Sequence, residues 1–165
     1  MYKQTIAFIR RDDELLLLNR NNAPTMGLWN GVGGKMEAGE TPIACIIREV
    51  YEETGIRISP EQVVHQSVVS WTINEEAEGG MHAYVIEVPA DFSYPTPIGM
   101  DEGILDWKKS SWVFDEQNKG VGEMIPLYLP RFLHDTEEID YWFSINNGRV
   151  VDYQWKELNG SLLKV

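Results

Sequence analysis

Glu49, Glu52 and Glu53 stand at i, i+3 and i+4. On a helix advancing about 100° per residue, that spacing gathers three carboxylates within an arc of about 100°. Like charges so placed repel, so the arrangement is either a solvated acidic face or a site that binds a cation. A glycine-rich stretch, Trp29-Asn30-Gly31-Val32-Gly33-Gly34-Lys35, precedes it, and the missing side chains there let backbone approach a ligand closely. Carboxylate oxygens beside such a loop are the hard donors that Mg²⁺ prefers, with phosphate oxygens and water completing an octahedral shell. Arg48 lies one turn before Glu52, placed to hold a carboxylate rather than to touch a substrate.

These side chains need a helix to carry them, and the sequence predicts one from Pro42 to Thr54. Thr41 is its N-cap, Pro42 suits the first helical position and Gly55 is the stop. Its apolar stripe is Ile43, Ile46, Ile47, Val50 and Thr54, with the glutamates on another side. Ahead of it, Thr5–Arg10 and Glu14–Arg20 read as strands of a hairpin turning at Arg11-Asp12-Asp13. Beyond it, strands are predicted at Gln62–Thr72 and Met81–Val88, around the acidic loop Asn74–Gly80, and at Ile104–Trp107. Ile125–His134 has helical spacing that Pro130 limits. Ile139–Ile145 and Arg149–Trp155 flank Asn146-Asn147-Gly148, a strong hairpin signal.

At 165 residues the chain has the length of a single domain spanning 1–165, and its 43% apolar, 24% charged composition excludes disordered and disulfide-rich classes. Lys and Arg number 14 against 26 Asp and Glu, a net charge of -12. That balance argues against a nucleic-acid partner, because neutralising phosphates requires clustered cations, while small anionic ligands remain accessible through a metal. The lone Cys45 cannot form an internal disulfide, and no apolar run is long enough to cross a membrane. A cytoplasmic location with no membrane partner is the expectation. His65, His82 and His134 are scattered without zinc spacing and read as surface residues.

The run Gly34, Glu40, Arg48-Glu49-Val50-Tyr51-Glu52-Glu53-Thr54-Gly55-Ile56 resembles the Nudix box, G-x5-E-x7-R-E-U-x-E-E-x-G-U with U aliphatic. All nine defined positions over residues 34–56 match. The resemblance implies an α/β fold, the Nudix α/β/α sandwich with a mixed β-sheet between helices. It also implies hydrolysis of nucleoside diphosphate derivatives with Mg²⁺ or Mn²⁺ as cofactor. Carried over, Gly33 through its carbonyl, Glu49, Glu52 and Glu53 are metal ligands, Glu52 or Glu53 is the base, and Glu40 and Arg48 support them. Possible homodimers follow from the family alone.

The stretch Gly27–Lys35 is similar to that of the MutT-type 8-oxo-dGTP diphosphatases, especially the branch containing the human enzyme. This likeness implies that Asn30 reads the base, while Arg20 and Lys35 bind phosphate. Met100-Asp101-Glu102-Gly103 resembles the strand entry where that group adds an acidic metal ligand, here Glu102. Human-type enzymes carry two adjacent aspartates before a later helix, whereas Gly122-Glu123-Met124 offers one carboxylate, Glu123, as a partial substitute. Trp107 and Trp112 are further candidates to stack on a base, although tryptophans are more often core. An ordinary deoxynucleotide, a pterin triphosphate, or a non-catalytic nucleotide sensor are the alternatives to an oxidised purine nucleotide.

Overall fold

The computed structural model describes residues 1–158; the last seven residues of the expected 1–165 domain lie outside the described residues. In chain order the elements are β1 (Thr5–Arg11), β2 (Glu14–Arg20), β3 (Trp29–Asn30), α1 (Pro42–Thr54), a 3₁₀ turn (Pro60–Gln62), β4 (Val63–Ile73) and β5 (Ala77–Glu87). They continue with β6 (Ile98–Met100), β7 (Gly103–Lys109), α2 (Ser110–Val113), α3 (Ile125–Phe132), β8 (Ile139–Asn146) and β9 (Arg149–Glu157).

One mixed sheet runs β6-β7-β2-β1-β5-β4-β8-β9, with β3 pairing the far end of β2. β1 and β5 are parallel, as are β4 and β8, and the remaining pairs are antiparallel. Period-two alternation divides the central strands between two cores. Ile6, Phe8, Leu15, Leu17, Val69 and Val85 point to one face, where Ile125, Tyr128, Leu129 and Phe132 of α3 cover them. Ala7, Ile9, Leu16, Leu18, Tyr84 and Ile86 point to the other, beneath Ile46 and Val50 of α1. The continuous Leu15–Leu18 run is apolar because its strand is buried on both faces. This is the expected α/β/α sandwich.

The helix α1 has the predicted bounds, with the Thr41 hydroxyl accepting the Ala44 N–H at 3.3 Å and Gly55 N–H closing onto the Tyr51 carbonyl. Its buried side is turned from expectation: Cys45, Ile46, Val50, Glu53 and Thr54 are buried, while Ile43 and Ile47 are half-buried. The acidic loop is shorter than expected, since Asn74 and Glu75 turn the chain with φ of 50° and 61° and β5 already begins at Ala77. Asn147 and Gly148 take φ of 51° and 74° in the β8–β9 turn, the left-handed pair that a tight hairpin needs. Two histidines depart from the surface reading. His82 is 4% exposed because it points inward toward the Tyr2 ring, 6.4 Å away, and His65 packs on Phe132 at 5.2 Å. His134 is exposed.

Tyr128 is fully buried among Phe132, Tyr141 and Phe143, and its hydroxyl has no partner among the described residues. An unpaired buried hydroxyl costs desolvation without return. Tyr128→Phe is therefore expected to raise unfolding free energy by about 1 kcal/mol in urea titrations; a loss of stability would show that the hydroxyl is satisfied in solution.

Candidate active site

The glycine-rich stretch after β3 lies antiparallel along the start of β1. Ala7 N–H donates to the Val32 carbonyl at 2.7 Å, Thr5 N–H to Gly34 at 2.9 Å, and Met36 N–H to Lys3 at 2.9 Å. A Cβ on Gly33 would run into the Thr5 carbonyl oxygen, and one on Gly34 would come within 2.5 Å of the Glu49 carboxylate. Only glycine lets the loop close onto both β1 and α1. This contact seats Glu49 against the loop backbone.

Glu53 points back beneath the same loop. Its carboxylate accepts the Gly33 N–H at 2.7 Å and is 7% exposed. Burial pushes its pKa up to about 7; the Gly33 N–H opposes the rise, Glu49 and Glu102 add to it, and Arg20 works against it. Glu53, Glu49, Glu102, Arg20 and Gly33 thus share one electrostatic environment although four separate segments supply them. β2 delivers Arg20 at its end, β7 begins at Gly103 directly opposite, and the Glu102 carbonyl accepts the Asn21 N–H at 2.9 Å. The Arg20 Nε is buried without a partner among the described residues.

Arg48 holds the other carboxylates. Its Nε and Nη2 form a fork on Glu40 at 2.9 and 2.9 Å, Nη1 reaches Glu49 at 2.8 Å and Glu52 at 3.0 Å, and Nη2 reaches the Lys35 carbonyl at 3.1 Å. The guanidinium and the Glu37 N–H hold Glu40 down to about 2, and the carboxylates raise Arg48 in return. Glu52 stays accessible, with its side chain 55% exposed. The three box glutamates therefore do not share one acidic face: Glu52 meets solvent, Glu49 lies against glycine and Glu53 is underneath. Among the described residues, no three Asp, Glu, His or Cys side chains are already gathered closely enough to enclose an ion. Arg48 draws Glu49 and Glu52 outward, and the Gly33 N–H draws Glu53 inward. The donor set still suits a hard cation, because a buried carboxylate with two like-charged neighbours is relieved by one positive charge.

A family model for the NUDIX domain matches residues 1–118. The chain belongs to the Nudix family. An uncharacterized Nudix hydrolase of Bacillus subtilis (strain 168) is 41% identical over 63 residues, covering 38% of this chain and 38% of that protein. An 8-oxo-dGDP phosphatase of Homo sapiens is 35% identical over 72 residues, covering 42% of this chain and 22% of that one. The matched region is thus well under half the length of either relative. The crystal structure of a mutator MutT protein from Bacillus halodurans superposes with a TM-score of 0.71 at 23% identity, covering 94% of this chain and 98% of that one.

The other expected Nudix-site residues divide into two groups. Lys35 is exposed, and its backbone carbonyl, rather than its ammonium, is what contacts Arg48. Asn30 and Glu123 lie together at one side, because residues 120–122 run beside β3. Trp29 N–H donates to the Gly120 carbonyl at 2.8 Å and Gly122 N–H to the Trp29 carbonyl at 3.3 Å. Asn30 Oδ1 is taken by the Gly31 N–H at 2.8 Å, and its Nδ2 faces Gly122. Of the two proposed stacking tryptophans, Trp107 packs under Arg11 and donates to the Tyr94 carbonyl, away from this place, whereas the Trp112 ring lies beside Gly120 and shares Lys108 with Trp29. Sequence reasoning missed Arg149, whose Nε reaches Glu123 at 3.1 Å. Its only sequence signal was its place directly after the Asn147-Gly148 turn.

Proposed function

We propose that this chain is a divalent-cation-dependent hydrolase of nucleoside triphosphates, acting as a single domain on 1–165, with oxidised purine deoxynucleotides such as 8-oxo-dGTP as the leading substrates. The observation that carries the reading is the buried Glu53, raised to about 7 beside Glu49, Glu102 and Arg20 at the glycine loop. Glu49, Glu53, Glu102 and the Gly33 carbonyl are the oxygens that would hold Mg²⁺ or Mn²⁺. Such an ion supplies Lewis-acid stabilisation of phosphate charge and an acidified water.

The remaining roles belong to side chains. The Arg20 guanidinium, whose Nε has no partner among the described residues, and the exposed Lys35 ammonium bind phosphate oxygens, Arg20 from within the site and Lys35 from its rim. Glu53 is buried beneath the loop with Oε2 on the Gly33 N–H, so Glu52, accessible and steadied by Arg48, takes the proton from water. Arg48 and Glu40 fix the carboxylates before substrate arrives, which is worth more to a reaction than adjusting them afterwards. The human relative's name, an 8-oxo-dGDP phosphatase, supports an oxidised guanine nucleotide.

The test is pyrophosphate and phosphate release from 8-oxo-dGTP, the ordinary dNTPs, ADP-ribose and a pterin triphosphate, with Mg²⁺, with Mn²⁺ and with chelator. The expected result is metal-dependent pyrophosphate release, greatest for 8-oxo-dGTP, abolished by chelator. Equal rates with chelator would overturn the metal reading. Preference for another nucleotide would overturn the oxidised-purine assignment.

A further inference from the structure

The sheet ends in two unequal edges. β6 has three residues and β9 has nine, and among the described residues no strand lies outside β9. A long edge presents a row of backbone N–H and C=O groups that can pair with another strand. Within β9 the extra residue is Val151, since β8 pairs Ile145 with Val150 and Ser144 with Asp152. Such a bulge interrupts pairing. The regular part of the edge therefore begins at Asp152 and runs to Glu157 in unbroken register with β8.

Side chains alternate across that stretch. Tyr153 and Trp155 stand opposite Phe143 and Tyr141 and so share the α3 face. Tyr153 stacks on Phe143 with centroids 5.0 Å apart. The Arg131 guanidinium lies 3.5 Å over the Trp155 ring and is itself held by Asp135 at 2.8 Å. Both rings are thus fixed in place, yet Trp155 is 46% exposed. Asp152, Gln154 and Lys156 occupy the other face and are exposed. The Asp152 carboxylate accepts only from its own strand, from the Tyr153 N–H and the Gln154 amide, and Lys156 reaches Asp140 at 3.8 Å.

The order Asp152-Tyr153-Gln154-Trp155-Lys156 is complementary to its own reverse: acid, aromatic, amide, aromatic, base. We propose that this edge is a self-association surface, on which a second copy of the chain pairs antiparallel about a two-fold axis at Gln154 and joins the two sheets. Asp152 of each copy then faces Lys156 of the other, Tyr153 faces Trp155, and Gln154 faces its counterpart. The symmetry forms each unlike pair twice, and opposite charges and aromatic rings directly across are the pairs that stabilise antiparallel strands. The net charge of -12 opposes any association of copies, so what holds them is matching at the edge itself. Centring the axis on Tyr153 instead would draw the bulged Val151 into the ladder and set Asp152 against Gln154, which forfeits both ion pairs.

Sedimentation velocity over a concentration series tests the surface. Wild type is expected to show a monomer–dimer equilibrium, because five paired residues on each side make a small interface. Asp152→Lys sets two lysines together at both ends of the contact, and Lys156→Glu sets a glutamate against Asp152. Each is expected to weaken the dimer about tenfold or more. Mixing the two variants restores both opposite-charge pairs, so a heterodimer should form about as tightly as wild type. Asp152 bonds only within its own strand, so Asp152→Lys leaves the fold intact and decides alone if Lys156→Glu, beside Asp140, is destabilised in urea titrations. A wild type that stays monomeric, a dimer indifferent to Asp152→Lys, or a mixture of folded variants that associates no better than its parts overturns the inference.

Discussion

Glutamine at position 53 is expected to lower turnover at least tenfold and, in the metal-free protein, to raise stability at pH 8 while leaving it nearly unchanged at pH 4. The carboxylate is pushed from its ordinary 4.5 up to about 7, burial being the largest cause. A raised carboxyl pKa means that, between those two values, the folded protein holds a proton which the unfolded chain has released. Stability therefore falls as pH rises through that window, and the whole cost is present above it. At about 1.4 kcal/mol per pH unit, the cost reaches about 3 kcal/mol. Glutamine offers the Gly33 N–H a neutral acceptor and avoids the cost. Urea unfolding with chelator at pH 4, 6 and 8 measures the difference between variant and wild type, from which the other carboxylates cancel. Added Mn²⁺ should then stabilise wild type more than the variant, since the charge that burdens the empty fold is the one that attracts the cation. Equal stability of the two proteins at pH 8 would show that Glu53 is not held as a buried anion. Turnover unchanged at saturating Mg²⁺ would remove it from the reaction.

The scaffold of this site was legible in the sequence, because local chemistry determines it. Thr41, Pro42 and Gly55 bound α1 at both ends, and the apolar runs Thr5–Arg10 and Glu14–Arg20 marked the opening hairpin. What was illegible depended on contacts between distant segments. Equal i, i+3, i+4 spacing put Glu49, Glu52 and Glu53 on one arc, yet the structure gives them three environments. The glycine loop, threaded against β1, supplies an N–H for Glu53 and a bare Cα for Glu49, and spacing along one helix carries no information about what lies opposite. The same limit hid β6, whose three residues form a strand by pairing with β7, and α2, a single turn at the end of β7. Helix α3 stops at Phe132, two residues past Pro130 and short of the expected His134, where the His134 and Asp135 N–H groups both close onto the Arg131 carbonyl. Arg149 escaped notice because a residue after a tight turn is generic until its partner across the fold, Glu123, is known.

Arg48→Lys should be nearly as damaging as losing the side chain altogether, although the charge is kept. The guanidinium serves four acceptors in different directions: Glu40 by a two-point fork, Glu49, Glu52 and the Lys35 carbonyl. An ammonium is a single point with three donors and cannot reproduce a planar fork while bridging the remaining acceptors. The Glu40 and Glu49 side chains are only 13% and 14% exposed, so each is costly to leave unpaired. The expected loss is about 2 kcal/mol in unfolding free energy at neutral pH. Because Glu40 is held down to about 2, its contribution is present above its ordinary 4.5 and disappears as pH falls through about 2. The variant's deficit should shrink over that acidic window, where a purely packing defect would persist. In turnover the expected effect is at least a tenfold fall in kcat with KM changed less, since the role proposed for Arg48 is to orient Glu49 and Glu52. A double-mutant cycle with Glu40→Gln separates the fork from the rest. If lysine fully restored both stability and kcat relative to Arg48→Ala, charge rather than geometry would be what this position supplies.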